Sequence, residues 1–146
     1  MYLVDTNIIS ARAPTKVPRA DIETWMDAAS PHLYMSVITA AEIEAGISKL
    51  FRDGASTKAG SLVQWWAAVK HWYGDRIIPL DIAIAEMTGK VLDKAKGRGH
   101  SPGFADAAVA ATAWVHGYTV LTANVKHFQP FGVKIINPFE GLPPLP

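Results

Sequence analysis

The stretch Tyr2-Leu3-Val4-Asp5-Thr6-Asn7 decides the predicted fold of this chain. Its apolar residues lead directly into a carboxylate and two small polar side chains, which is typical of a short buried strand that ends at a polar edge. A carboxylate at the end of a buried strand is costly unless it is paired or bound to a cation. Asp5 is therefore the first candidate for a functional acid, and the alternative is a turn residue or a helix cap.

Similar short apolar segments recur along the chain, with helical patterns between them. The sequence predicts further strands at residues 33–37, 76–80, 118–122 and 133–136, and helices at residues 21–29, 40–51, 57–73, 81–96 and 103–116. Strands that alternate with helices predict a mostly parallel sheet covered by helices on both faces. The predicted class is therefore α/β, a three-layer α/β/α domain with a short sheet of about five strands.

Composition narrows the classes of protein that fit. The chain has 146 residues, about half of them apolar, which suits one domain with one core. The absence of Cys leaves no disulfide framework or thiolate metal site, and it fits a cytoplasmic location. No apolar run approaches the roughly 20 residues that span a bilayer, and no signal peptide is recognisable, so no membrane association is expected. The net charge of +1 means that a nucleic-acid partner has to be recognised by a local patch.

Two more acids, Glu42 and Asp106, stand in comparable positions. Asp5 ends the first predicted strand and Glu42 opens the helix after the second, so both fall at the edge of a parallel sheet where ligands bind. Asp106 lies at the start of the helix that leads into the fourth strand, so its side chain has farther to reach to meet the other two acids. Each has a structural alternative, because Thr39-Ala40-Ala41-Glu42 matches a capping box and Asp106 suits a helix cap or first turn.

Carboxylates that cluster repel each other unless a cation lies among them. Oxygen ligands suit Mg²⁺ or Mn²⁺, which bind carboxylates and keep several water molecules. Zinc fits less well, because the five histidines show no paired ligand spacing. The sequence therefore indicates a divalent-cation site.

Four segments in order resemble the PIN-domain family, specifically the VapC-type toxin ribonucleases of bacterial toxin–antitoxin pairs and their FitB-like branch. The segments are residues 3–10, 36–47, 106–113 and 120–128. The resemblance runs from residue 1 to about residue 139, so a PIN domain is expected over 1–139, followed by a Pro-rich tail over 140–146.

The resemblance implies a metal-dependent endoribonuclease that hydrolyses RNA phosphodiester bonds. By it, Asp5, Glu42 and Asp106 bind Mg²⁺ or Mn²⁺ and form the catalytic site together with Asn124. Asn124 stands where the family often has a fourth acid, and Ala123 stands where a basic residue is common. The groups implied to orient the acids are Thr6, Asn7 and Thr122.

The implied partners are an RNA substrate, a second copy of the chain in a homodimer, and a VapB-type antitoxin in a toxin–antitoxin assembly. The antitoxin would cover the site, and we expect part of its docking surface on the helices at 40–51 and 57–73. Within the second helix, residues 65, 69, 72 and 73 are predicted to form the buried stripe, and Trp66 is predicted to point elsewhere.

Two alternatives follow from the same residues. Asn124 and Ala123 leave open a catalytically degenerate PIN-like module that acts by binding a partner protein. Lys94, Lys96 and Arg98 form a basic stretch, which is interpreted either as an RNA-backbone contact or as a solvated helix end.

Overall fold

A five-stranded parallel sheet forms the centre of the computed structural model, which describes residues 1–146. The strands are β1 (Tyr2–Val4), β2 (Leu33–Ser36), β3 (Ile77–Ile78), β4 (Thr119–Leu121) and β5 (Ile135–Ile136). Their order across the sheet is β3-β2-β1-β4-β5, and every neighbouring pair is parallel. The predicted sheet is confirmed, and β1 lies at its centre between β2 and β4.

Seven helices surround the sheet. They are α1 (Thr6–Ser10), α2 (Ala20–Ala29), α3 (Val37–Arg52), α4 (Ser56–Tyr73), α5 (Ile82–Gly97), α6 (Phe104–His116) and α7 (Val125–Phe128). The two short helices α1 and α7 were not predicted, and they begin directly after Asp5 and Asn124. None of the helices is both long enough and apolar enough to cross a bilayer.

The alternating side chains of β1 divide the core in two. Tyr2 and Val4 face one side of the sheet and pack with apolar residues of α1 to α4, whereas Leu3 faces the other side and packs with α5 and α6. Five of the six alanines of α6 are almost fully buried, and their small side chains let α5 and α6 pack closely. This arrangement confirms the predicted α/β/α layers.

The capping-box interpretation of Glu42 is wrong. Helix α3 begins at Val37, because the Ser36 hydroxyl at the end of β2 accepts a hydrogen bond from the Ile38 N–H at 3.0 Å and caps the helix there. Thr39 therefore lies within the first turn, and Glu42 lies one turn farther along. The Glu42 carboxylate is left free for another role.

The predicted buried stripe of α4 is wrong at two of its tryptophans. Trp66 is 2% exposed and packs in the core, whereas Trp72 is 64% exposed. The buried positions of α4 are Ala59, Trp66 and Val69, so Val69 is buried as predicted and Trp66 takes the place expected for Trp72. Trp65 and Tyr73 are half-buried and pack against the same core. Trp66 therefore packs in the core and offers almost no surface to a partner.

The Pro-rich C-terminal segment packs against the domain. The Trp25 Nε1–H donates to the Pro143 carbonyl oxygen, and the Tyr2 hydroxyl donates to that of Pro144, both at 2.8 Å. Pro143 is buried. The last residues are thus fixed to β1 and α2, and the predicted boundary after residue 139 stays a prediction.

Candidate metal and catalytic site

Asp5 is the most firmly held acid of the protein. It caps α1 directly after β1 and is only 4% exposed. Its Oδ1 accepts a hydrogen bond from the Thr6 N–H at 2.8 Å, and its Oδ2 accepts from the Thr122 hydroxyl at 2.7 Å and from the Asn7 Nδ2 at 2.8 Å. These neutral donors fix the carboxylate without cancelling its charge.

Thr122 joins the ends of β1 and β4, which are neighbours in the sheet. Besides donating to Asp5, its hydroxyl oxygen accepts from the Asn7 Nδ2 at 3.2 Å and from the Asn124 N–H at 3.0 Å. The Asn7 Oδ1 in turn accepts from the Ala123 N–H at 2.9 Å. The polar residues after the two strands therefore form one connected network.

Thr6 links Asp5 to Glu42. Its backbone N–H donates to Asp5, and its hydroxyl donates to the Glu42 Oε1 at 2.7 Å. The Thr39 hydroxyl lies 3.4 Å from that of Thr6 and supports the same side chain. Glu42, on an exposed position of α3, is thereby tied to the end of β1. The predicted meeting of these two acids at one edge of the sheet is confirmed.

Asp106 belongs to the first turn of α6, and its side chain is 30% exposed. Its Oδ2 lies 3.3 Å from the Nδ1 of His127, a residue of α7 whose side chain is 64% exposed. Sequence reasoning did not single out His127, although it lies within the fourth motif, three residues after Asn124. Asn124 is exposed, and its side chain has no hydrogen-bond partner within the protein.

Charge repulsion connects the three acids. Burial raises the pKa of Asp5, and the Asp106 carboxylate raises it further, while hydrogen bonds from Thr122, Thr6 and Asn7 oppose the shift. Partial burial also raises the pKa of Glu42, with added repulsion from Asp5 and Asp106, and the Thr6 hydroxyl opposes it. No lysine or arginine forms an ion pair with any of the three. A bound cation would relieve this repulsion.

The donor chemistry fits a hydrated, hard cation. No three Asp, Glu, His or Cys side chains converge closely enough to form a metal-binding group by themselves. Mg²⁺ does not require such a group, because it is usually bound by one or two carboxylates and keeps several water molecules. Asp5, Glu42 and Asp106 supply only oxygen ligands, which suits Mg²⁺ or Mn²⁺ and disfavours softer metals.

The basic stretch lies at the end of a helix. Lys94 and Lys96 occupy the last turn of α5 and Arg98 follows it, where cations are favoured by the helix dipole. All three side chains are exposed, and none forms an ion pair. Their position matches a solvated helix end, and a role in RNA binding stays a prediction.

Comparison with known proteins identifies the family. The model of the PIN domain matches residues 2–130. The chain belongs to the PIN-domain family. This PIN domain is 33% identical to the plasmid stability protein StbB of Pseudomonas syringae pv. tomato, over 97% of this chain and 100% of that protein. It is 32% identical to the VapC ribonuclease Y4jK of Sinorhizobium fredii, over 96% of this chain and 99% of that protein.

Solved structures agree with the sequence relatives. The chain in the crystal structure of FitAcB from Neisseria gonorrhoeae matches this PIN domain with a TM-score of 0.84 and 30% identity, over 95% of this chain and 99% of that one. The structure of FitAB bound to a DNA fragment matches with a TM-score of 0.78 and 28% identity, over 95% and 96% of the two chains. The resemblance found in the four motifs is confirmed.

Proposed function

We propose that this PIN domain is a divalent-metal-dependent endoribonuclease and the toxin of a type II toxin–antitoxin pair. The observation that carries the proposal is the network in which Thr6 ties Asp5 to Glu42 and Thr122 fixes Asp5, with Asp106 close enough to repel both acids. The relatives named VapC ribonuclease Y4jK and Toxin FitB support the same activity.

Asp5, Glu42 and Asp106 would hold Mg²⁺ or Mn²⁺. When bound, the ion would lower the pKa of a water molecule and stabilise charge that develops on the scissile phosphate. Asp5 is the anchor of this arrangement, because the Thr6, Asn7 and Thr122 donors keep its carboxylate in one orientation.

Glu42 and Asn124 are held less firmly than Asp5 and each keeps polar atoms available for a ligand. The Thr6 hydroxyl holds only the Oε1 of Glu42, so Oε2 is available to bind a cation or a water molecule of its hydration shell. Asn124 occupies the position of a fourth acid without adding charge, and its free amide can bind a water molecule or a phosphate oxygen. Three carboxylates, and not four, therefore set the charge of the site.

The proposed partner is an antitoxin of the VapB or FitA kind, in an assembly that contains a homodimer of this chain. FitAcB and FitAB are solved structures in which a chain of this fold occurs, at 30% and 28% identity to this PIN domain. These matches extend over 95% of this chain, which supports a comparable assembly.

Cleavage of RNA by the purified chain tests the proposal. With Mn²⁺ or Mg²⁺ we expect cleavage of single-stranded RNA, and with EDTA we expect none. Asp5→Asn should lower the rate more than about 100-fold, because changes to orienting groups alone cost roughly 10- to 100-fold.

Two results would contradict the nuclease proposal. Equal cleavage by wild type and Asp5→Asn would identify the activity as a contaminant. A folded wild-type protein that cleaves no RNA with either ion would favour the alternative, a PIN-like module that acts only by binding a partner.

A further inference from the structure

A cleft of about 260 Å³ leads away from the carboxylate cluster between α3 and α4. One end of the cleft is formed by Thr6 and Glu42, the pair joined by the 2.7 Å hydrogen bond. The cleft is therefore continuous with the proposed catalytic site. A polymer that reaches the acids could lie along it.

The rim of the cleft carries two lysine side chains that form no ion pair. Lys16 comes from the segment between α1 and α2, and Lys58 comes from the first turn of α4. Both are exposed, and neither has a carboxylate within ion-pair distance. Glu42 is the only acid in the lining. Away from Glu42, the cleft thus offers positive charge to a polyanion.

The floor of the cleft is apolar and includes an indole. Ile43 and Ile47 of α3 are buried beneath it, and the half-buried Leu62 and Trp65 of α4 complete the surface. Nucleic-acid bases stack on aromatic side chains with little dependence on sequence, and nearby cations bind the backbone. The combination of Trp65 with two lysines suits a single strand.

Gly46 keeps the cleft open. It lies in the middle of α3, one turn after Glu42, and lines the cleft. A Cβ added there would meet no atom within 4 Å, so a side chain at this position would extend into free space. Glycine inside a helix costs about 1 kcal/mol relative to alanine, and at this position its missing side chain leaves the cleft unobstructed.

We propose that this cleft binds single-stranded RNA next to the scissile phosphate, with Lys16 and Lys58 on the backbone and Trp65 stacked on a base. The proposal rests on the ribonuclease function proposed above. RNA is the expected occupant, because the unpaired lysines complement its phosphates and the cleft ends at the carboxylates of the proposed cleavage site.

The salt dependence of RNA binding tests the phosphate contacts. A fluorescein-labelled, mixed-sequence single-stranded RNA is titrated with the full chain in EDTA at several salt concentrations. For single strands each phosphate contact contributes about 0.7 to the slope of log K against log salt, so Lys16→Gln with Lys58→Gln should reduce the slope by about 1.4. Lys90→Gln, an exposed lysine of α5 on the other side of the sheet, should leave it unchanged.

Kinetics in Mn²⁺ test the floor of the cleft. Trp65→Ala should raise KM roughly 5- to 100-fold with kcat little changed, and Trp65→Phe should restore most of the loss because it keeps a stacking surface. Gly46→Leu should raise KM by filling the cleft. Gly89→Leu is its matched control, since Gly89 is a mid-helix glycine of α5 that also has free space around it.

The results separate this proposal from the nuclease proposal. The cleft assignment would be wrong, and the nuclease proposal would stand, if the wild type cleaves RNA, the double lysine variant keeps the wild-type salt slope and Gly46→Leu keeps the wild-type KM. If these variants bind RNA as the wild type does but bind a protein partner more weakly, the cleft is the binding site of that protein and not of RNA. A wild type without cleavage would remove the nuclease function, and the salt slope would still report whether the cleft binds RNA.

Discussion

The two halves of the carboxylate cluster are held in very different ways. In the half built on β1 and β4, Asp5 accepts hydrogen bonds from Thr6, Asn7 and Thr122 and is almost fully buried. In the half built on α6 and α7, Asp106 has one 3.3 Å contact with an exposed histidine. The difference indicates that one half is preorganised, whereas the other can adjust when cation and substrate bind.

The cause of this difference lies in the topology. β1 and β4 are adjacent parallel strands, so the residues that follow them meet within hydrogen-bond distance. Asp106 is placed by the first turn of α6, a helix that packs mainly on α5 and less extensively on β4, and it does not directly follow a strand as Asp5 and Thr122 do. Its position therefore depends on helix packing and leaves its carboxylate with solvent on one side.

Among changes to groups that orient the acids, the largest effect is expected in the rigid half, from Thr122→Val. The change removes a donor to Asp5 and the acceptor for Asn7 and the Asn124 N–H, while it keeps the shape of the side chain. Cleavage and Mn²⁺ affinity should fall about 10- to 100-fold. Calorimetric titration with Mn²⁺ and kcat/KM on RNA measure the two quantities.

Thr112→Val is the matched control for this change. The Thr112 hydroxyl is buried but donates to the Ala108 carbonyl of its own helix, away from the acids. Both quantities should stay within about threefold of wild type, as is usual for a site that touches no ligand. Equal losses in the two variants would remove Thr122 from the orienting network.

Acidification should weaken cation binding strongly, because the pKa values of Asp5 and Glu42 are raised. As pH falls through these raised values, the acids gain protons and Mn²⁺ affinity should drop about tenfold for each pH unit per proton displaced. The loss should begin at a higher pH than for ordinary carboxyl groups. Mn²⁺ titrations over a pH series measure it.

Without the cation, the contribution of Asp5 to the free energy of unfolding should increase on acidification, whereas cation affinity decreases. A carboxyl group whose pKa is higher in the folded than in the unfolded protein favours the folded state more as pH falls through the folded value. In EDTA, the free energy of unfolding of wild type should therefore rise relative to Asp5→Asn on acidification. Chemical denaturation at several pH values measures this difference, and a difference that is constant with pH would show that Asp5 has no raised pKa.

The adjustable half should respond to added charge. Asn124→Asp places a fourth acid at the start of α7, next to Thr122, and should tighten Mn²⁺ binding about fivefold, since one further charge contributes on the order of 1 kcal/mol in a water-exposed site. Gln129→Glu adds the same charge at an exposed position just after α7 and should have a smaller effect. Equal effects of the two variants would mean that the added charge acts only through the overall electrostatic field of the protein and not at the cation site.

The smallest effect is expected from His127→Gln. An exposed contact between His127 and Asp106 contributes at most about 1 kcal/mol. We therefore expect kcat/KM to change less than about fivefold and the free energy of unfolding to change by less than about 1 kcal/mol. A loss as large as that of Thr122→Val would show that the second half is also rigid. The comparison between the halves would then fail.

The sequence predicted the sheet and the meeting of Asp5 with Glu42 because both follow from strand order. Alternating strands and helices specify a parallel sheet, and the carboxyl ends of its strands share one edge. The position of Asp106 could not be predicted in this way. It depends on how α6 packs against α5, a tertiary contact that leaves no periodic pattern in the sequence.

Two local errors have physical causes. Ser36 and Thr39 are both good helix caps three residues apart, and the choice of Ser36 follows from its pairing with Ile78 of β3 at the end of β2. In α4, apolar side chains occur on several faces, so periodicity alone could not show that Trp66 faces the core and Trp72 faces solvent. The residues assigned to the metal and to catalysis stay a prediction that the variants above test.

The separation of 117 residues between Asp5 and Thr122 has a consequence for the order in which the site is made. Chains are made at about 5–20 residues per second, so Thr122 is added roughly 6 to 23 s after Asp5. Until then the Asp5 carboxylate lacks the donor that closes its network, and β1 lacks one of its neighbours. The proposed site is thus completed only when β4 has joined the sheet, so a growing chain should gain its full activity late in its own synthesis.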